Sequence, residues 1–139
     1  MNWIVNSLIA IGIVGFSDIF RKLASGLKDP LFTNLIFQTA SFTTAFFLFL
    51  LLSRKIENNP LNIFFAVLGG VTISLFSLFS FRALSTGPDV STVIPVLRIG
   101  GIAFLVILGV LLLKDQLTVQ KVVGLLFSVV GIYLLYTNK

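Results

Sequence analysis

A run of 23 consecutive residues, Leu31 to Ser53, contains no charged side chain. Because a helix rises about 1.5 Å per residue, a run of this length spans the roughly 30 Å hydrocarbon layer of a bilayer. Four further apolar stretches repeat the pattern, and 57% of the 139 residues are hydrophobic while 11% are charged. A soluble domain carries about 25% charged residues. The sequence therefore predicts an integral membrane protein.

Charged, proline and glycine residues divide the chain into five predicted transmembrane helices, over 2–20, 31–53, 60–81, 88–113 and 118–136. Lipid offers backbone groups no hydrogen-bond partner, so each crossing segment must be helical. The connections are short, and we therefore expect successive helices to be antiparallel neighbours. The predicted fold is an all-α membrane protein with a single domain over residues 1–139.

The composition excludes several kinds of chemistry. The chain has no Cys and no His, so it lacks thiolate ligands, disulfides and the commonest general base. No pair of acids shares one predicted depth, and we expect neither an enzyme nor a bound cofactor or metal. Ten Lys and Arg outnumber five Asp and Glu, but the bases lie singly or in pairs at the ends of apolar runs, as membrane anchors do. Nucleic-acid binding is not expected.

The predicted helices distribute the positive charges almost equally between the two membrane faces. The N-terminal face receives the terminal amino group, Arg54, Lys55, Lys114 and Lys121, and the opposite face receives Arg21, Lys22, Lys28, Arg82 and Lys139. The positive-inside rule orients a protein by this difference, which is nil here. We expect copies to insert both ways and to pair as an antiparallel homodimer of ten helices. Alternatively, one more anchor or a partner subunit fixes a single orientation.

Arg98 is predicted to lie near the bilayer centre, about 15 Å along the helix from Pro88. An Arg at that depth costs about 2.5 to 3.5 kcal/mol and is retained where it faces a bundle interior or a water-filled cavity. Pro95 removes a helical hydrogen bond, so we expect irregular backbone between residues 91 and 101. A substrate site is predicted from Arg98 and its neighbours Ser91, Thr92, Pro95, Gly100 and Gly101.

Two readings of Arg98 stay open. In an antiparallel dimer the two Arg98 side chains would converge near the midplane and favour an anionic or zwitterionic solute. Alternatively, Arg98 pairs with an acid of its own chain, and Asp18 is the acid nearest to it in depth. Asp18 itself either caps the membrane interface beside Arg21 and Lys22 or faces a cavity as a coupling carboxylate.

The last predicted helix carries a stripe of small residues at a helical spacing of four and three, namely Gly124, Ser128 and Gly131. Small residues allow helix backbones to approach closely in a membrane. The stripe either packs within one protomer or forms a dimer contact.

Several short segments combine glycine, proline and charged residues in a characteristic order. They are Gly15–Lys22, Arg82–Pro88, Ser91–Pro95, Leu108–Asp115, Gly124 and Gly131–Leu135. Together these segments resemble the EamA family of the drug/metabolite transporter superfamily. The resemblance implies a solute transporter, usually of ten helices in two inverted halves, of which this chain is one half.

The resemblance also assigns individual positions. Lys22 matches the first-helix Lys of the family, and Asp115 stands where the family usually has Glu. Val14 replaces the Trp that commonly precedes the first-helix Gly. The central first-helix Glu of the related small multidrug resistance proteins is absent, since Gly12 and Ile13 lie near that depth. Proton-driven export of cationic drugs by that route is therefore not expected.

The sequence as a whole predicts a transporter of small metabolites that works by alternating access in a prokaryotic inner membrane. Its predicted partners are a small-molecule solute, the lipid bilayer and a second copy of the chain. The alternatives are a non-transporting membrane subunit that scaffolds or regulates a partner, and one half of a heterodimeric transporter.

Overall fold

The structure, a computed structural model, describes residues 2–52 and 59–137. Five helices form this part of the chain: α1 (Trp3–Ala24), α2 (Pro30–Leu52), α3 (Pro60–Thr86), α4 (Val90–Leu113) and α5 (Val119–Thr137). Helices α1 to α4 are long and apolar enough to cross a membrane, and the apolar stretch of α5, Val119–Gly131, is shorter. The predicted all-helical fold with five helices is confirmed. The antiparallel dimer stays a prediction, and Arg54, Lys55 and Lys139, which enter its charge count, lie outside the described residues.

Helix α1 continues beyond its predicted end. The basic pair Arg21 and Lys22 was expected to mark the membrane surface at Phe20, but the helix ends at Ala24. The backbone N–H of Ser25 then donates to the Arg21 carbonyl at 2.9 Å. Arg and Lys are good helix formers, so the basic pair does not end the helix, and the Arg21 side chain is buried in the structure.

Helix α4 corrects the prediction of irregular backbone around Pro95. The helix is continuous from Val90 to Leu113 with Pro95 inside it. Pro95 is the sixth helical residue, and its missing N–H affects one hydrogen bond, to the carbonyl of Ser91. The neighbouring hydrogen bonds maintain the helix.

The chain forms two compact units, Met1–Thr86 and Gly87–Lys139. In the first unit α3 packs against both α1 and α2, and the side chains of Phe81, Leu84, Ser77 and Ser80 are fully buried. In the second unit α4 packs against α5, and Val93 and Gly109 are its buried residues among those described. The single domain over residues 1–139 stays a prediction.

The hydroxyl groups along α2 are satisfied within their own helix. Thr39, Ser41, Thr43 and Thr44 each donate to the carbonyl four residues earlier, at 2.8 to 2.9 Å. Three of these residues line an open groove of about 580 Å³ along α2. Because hydroxyls that are hydrogen-bonded in this way need no further partner, this polar face can be exposed to lipid.

The turn between α4 and α5 is tight. Lys114 adopts the left-handed conformation, with φ 56° and ψ 33°, and the backbone N–H of Asp115 donates to the Gly109 carbonyl at 3.1 Å. The Asp115 side chain folds over Gly109, where a Cβ would lie 2.9 Å from Oδ2. A larger residue at 109 would require this exposed side chain to shift. Thr118 caps α5, since its hydroxyl accepts from the Lys121 backbone N–H at 3.4 Å.

Candidate functional site

Two charged side chains of α1, Asp18 and Arg21, are buried in the first unit. They are 6% and 8% exposed, and no other charged residue in 2–52 and 59–137 is buried. A spacing of three places both on one face of the helix, and Arg21 Nη1 lies 4.0 Å from Asp18 Oδ1. Ionisable groups buried within a membrane bundle are costly and mark functional positions. This pair is the centre of what we call the charged cluster.

Helix α3 contributes two serines to the charged cluster. Ser77 and Ser80 are fully buried, and the Ser77 hydroxyl oxygen accepts a hydrogen bond from Arg21 Nη2 at 3.5 Å. The Ser80 hydroxyl donates to the Phe76 carbonyl at 2.8 Å. Small residues at these positions allow α1 and α3 to approach closely, and a hydroxyl adds a polar contact between them.

Two aromatic rings enclose the Arg21 guanidinium. Its Cζ lies 4.6 Å from the ring centroid of Phe37 on α2 and 5.8 Å from that of Phe81 on α3. The two rings pack edge to face, with centroids 5.6 Å apart. The negative face of an aromatic ring stabilises a desolvated cation. Side chains of α1, α2 and α3 therefore meet at Arg21.

Lys22 connects α1 to the end of α3. Its Nζ donates to the Leu84 carbonyl at 2.8 Å, and the Ser25 hydroxyl donates to the Lys22 carbonyl at 2.7 Å. Leu84 lies in the last turn of α3, where carbonyl groups have no partner within the helix. Lys22, which matches the first-helix Lys of the family, therefore donates a hydrogen bond to the C-terminal end of α3.

Among the predicted site residues, Asp18 lies in the first unit beside Arg21. The predicted substrate-site residues share one helix of the second unit, where Thr92, Pro95 and Arg98 are half-buried and Ser91, Gly100 and Gly101 are exposed. A Cβ at Gly100 or Gly101 would meet no described atom within 4 Å. A role in substrate binding or coupling stays a prediction for all of them.

The small-residue stripe of α5 also stays a prediction. A Cβ at Gly124 or Gly131 would meet no described atom within 4 Å. The Ser128 hydroxyl donates to the Gly124 carbonyl at 2.8 Å, within the same helix. Within the described part of the chain, these glycines are therefore not in close contact with a neighbouring helix.

Sequence reasoning missed Arg21, Ser77 and Ser80. The structure buries the Arg21 side chain against α3 and α2, which the interpretation of Arg21 as a membrane-surface anchor did not predict. One signal was available: Ser74, Ser77 and Ser80 recur every third residue in an otherwise apolar segment. Such spacing predicts a polar stripe on one helix face, which would accommodate a buried charge.

The four long apolar helices define an integral membrane protein. The model of the EamA-like transporter family matches residues 1–137, and the chain belongs to this family. It corresponds to a single half-size domain of these drug/metabolite-type membrane transporters, which is consistent with a protein that is not an enzyme.

An uncharacterized protein of Methanocaldococcus jannaschii is 27% identical over 132 residues, which cover 95% of this chain and 94% of that protein. The two chains therefore have nearly the same length. No solved structure matches.

Proposed function

We propose that this protein transports small anionic or zwitterionic metabolites by alternating access, as an antiparallel homodimer in a prokaryotic inner membrane. The observation that carries the proposal is the match of a transporter family over residues 1–137 of a chain whose described residues form five helices. A half-size chain requires a second set of helices to enclose a pathway.

Pairing of two copies is supported by small residues that face open space. A Cβ at Gly12, Gly15, Gly69 or Gly70 would meet no described atom within 4 Å. Glycines at helix surfaces permit the close backbone contact by which membrane helices associate. The equal charge on the two predicted faces supports the antiparallel arrangement.

The proposed pathway is lined by Arg98 with its neighbours on α4, and Asp18 is the proposed coupling group. Arg98 is half-buried on a helix that is long and apolar enough to cross a membrane, where a cation is retained at a cost of about 2.5 to 3.5 kcal/mol. Asp18 is the buried acid among the described residues. The Asp18 carboxylate contacts the Arg21 guanidinium, and Asp18 can exchange this partner for another one during transport.

Transport by the purified chain in liposomes tests the proposal. A thermal-shift screen first identifies a solute, since a ligand that binds the folded state raises its stability. Arg98→Ala is expected to lose transport of that solute and to keep its melting temperature. Arg82→Ala, which removes an exposed base of α3, is the matched control and should transport normally.

Two results would contradict this proposal. Full transport by Arg98→Ala would remove Arg98 from the pathway. No transport by the chain reconstituted alone would exclude the homodimeric transporter and favour a subunit that requires a different partner.

The antiparallel arrangement has its own test. Because the chain has no Cys, a single Cys introduced by Lys139→Cys can be labelled without background. An impermeant thiol reagent should label about half of the molecules in intact cells and the remainder after permeabilisation. Labelling from one side alone would contradict insertion in both orientations.

A further inference from the structure

Burial in the first unit is confined to one end of its three helices. The buried residues of α1 lie within its last two turns, Thr33 is buried in the first turn of α2, and those of α3 run from Ser77 to Leu84. In contrast, residues 3–16 of α1 and 60–73 of α3 are all exposed. The association of α1 with α3 therefore depends on the side chains at this end.

The backbone carbonyl of Leu84 connects α3 to α1. In a continuing helix this carbonyl would accept from the N–H of residue 88, but residue 88 is Pro, which has no N–H. Lys22 Nζ of α1 donates to it instead, at 2.8 Å. The Ser25 hydroxyl, which donates to the Lys22 carbonyl, also lies 3.4 Å from it. A cation at a helix C-terminus also interacts favourably with the helix dipole.

A second polar contact joins the two helices deeper in the first unit. Arg21 Nη2 donates to the Ser77 hydroxyl at 3.5 Å, and Ser77 lies about 10 Å along α3 from Leu84. Charge-assisted hydrogen bonds are usually about 2.7 to 2.9 Å long, so this contact is weak beside that of Lys22. We call these two contacts, Lys22 to Leu84 and Arg21 to Ser77, the α1–α3 latch.

Helices α2 and α3 associate in a different way. The rings of Phe37 and Phe81 pack edge to face, with centroids 5.6 Å apart, and α3 packs more extensively on α2 than on α1. Aromatic packing of this kind does not require a charged group. Among the helices of the first unit, α1 is therefore the one that polar contacts hold in place.

Polar contacts at helix ends can be exchanged for water. Lys22 lies two residues before the end of α1 and is half-buried, and Leu84 lies two residues before the end of α3. After separation, water can bond both the ammonium group and the carbonyl, so the net cost of breaking the bond is modest. Because residues 3–16 of α1 are exposed, α1 can change its angle on α3 with little loss of packing along that part of the helix.

We propose that the α1–α3 latch closes the first unit at one membrane face, and that α1 releases from α3 at this end to open it. Lys22 is the positioning residue that keeps the closed form populated. The use of this opening in a transport cycle rests on the proposed function. The closure and release of α1 are properties of the first unit and can be measured without a solute.

Thiol labelling tests the latch, because the chain has no Cys. Ser80→Cys places a thiol of similar size on α3 between the two latch contacts, at a position that is 1% exposed. Ser85→Cys places a matched thiol at an exposed position of the same helix. The full chain is reconstituted in lipid nanodiscs, where both membrane faces meet water. The rate of reaction with a charged methanethiosulfonate reagent is followed by mass spectrometry.

The thiol at position 80 should react at least about tenfold more slowly than the one at position 85, since it becomes accessible only in the open form. Lys22→Met should raise the rate at position 80 about tenfold, which corresponds to about 1.4 kcal/mol. Lys22→Arg, which keeps a cationic donor, should retain the slow reaction. Lys28→Met, which removes an exposed Lys just beyond α1, is the matched control and should leave the rate unchanged.

A distance measurement provides the same test if Ser80→Cys does not fold. Spin labels on Leu23→Cys of α1 and Phe79→Cys of α3, at positions that are 73% and 60% exposed, report the separation of the two helices by pulsed electron paramagnetic resonance. Dilution with unlabelled chain removes distances between copies. One short distance is expected with Lys22 present, and a second, longer distance is expected with Lys22→Met.

Two results would overturn the proposal. Equal labelling rates at positions 80 and 85 would show that this end of the first unit is not closed. A labelling rate and a distance that Lys22→Met leaves unchanged would show that Lys22 does not hold α1 against α3. If the latch responds as expected in a chain that transports no solute, the proposed function fails and the closure by the α1–α3 latch is supported.

Discussion

The two units of the chain hold their helices together by different means. In the first unit, buried side chains from α1, α2 and α3 meet at Arg21, and Leu84 and Phe81 are fully buried beside them. In the second unit, the buried residues among those described are Val93 and Gly109, and the tight turn at Lys114 joins α4 to α5. Lipid supplies no hydrophobic force between helices, so packing and polar contacts decide their association. Contacts between specific side chains hold the helices together in the first unit. The backbone geometry of the turn contributes more to helix association in the second unit.

The largest expected effect comes from Arg21. Arg21→Met leaves Asp18 buried without its guanidinium, and we expect the free energy of unfolding of the first unit to fall by about 3 kcal/mol. Unfolding by titration with a denaturing detergent, followed by circular dichroism, measures the change. Arg82→Met, at an exposed position on α3, should change it by less than about 0.5 kcal/mol.

A second substitution sharpens this result. Asp18→Asn combined with Arg21→Met removes both charges, and the double variant should recover about half of the loss because no uncompensated acid remains. If the double variant is as unstable as the sum of both single variants, the two side chains do not act as a pair.

Leu84→Ala should have a smaller effect on the first unit. Leu84 is fully buried where α1 meets α3, and loss of its side chain leaves a cavity that costs about 2 kcal/mol. The same measurement applies, with Leu112→Ala as control, since Leu112 of α4 is 72% exposed. If Leu84→Ala and Leu112→Ala lower the free energy of unfolding equally, the burial of Leu84 does not determine the stability of the first unit.

The smallest expected effect, and the one of opposite sign, lies in the second unit. Lys114 has φ 56°, and a side chain in this conformation costs about 1 kcal/mol that glycine avoids. Lys114→Gly should therefore raise the free energy of unfolding by up to about 1 kcal/mol, while Lys114→Val should lower it. Protection of the α4 and α5 amides in hydrogen exchange reports on this unit separately. A stabilising Lys114→Val would contradict the role given to the turn.

The sequence was sufficient to predict the helices, but not the side-chain contacts between them. The length of the uncharged run predicted the start of α2 to within one residue, because membrane thickness sets the length of a crossing helix independently of its neighbours. The position of Arg21 depended on Ser77, 56 residues away, and on Phe37, and no local pattern contains such a contact. Pro95 was expected to disrupt α4, but a single missing hydrogen bond near a helix start is a local cost that the rest of α4 sustains.

The self-bonded hydroxyls of α2 have a consequence for motion. Thr39, Thr43 and Thr44 border an open groove while their hydrogens remain on the carbonyls of their own helix. Such a face keeps these donor bonds when water replaces hydrocarbon beside it, and each hydroxyl oxygen can then also accept a bond from water. Because the donors are bonded in both environments, this helix surface can face either water or hydrocarbon at low energetic cost.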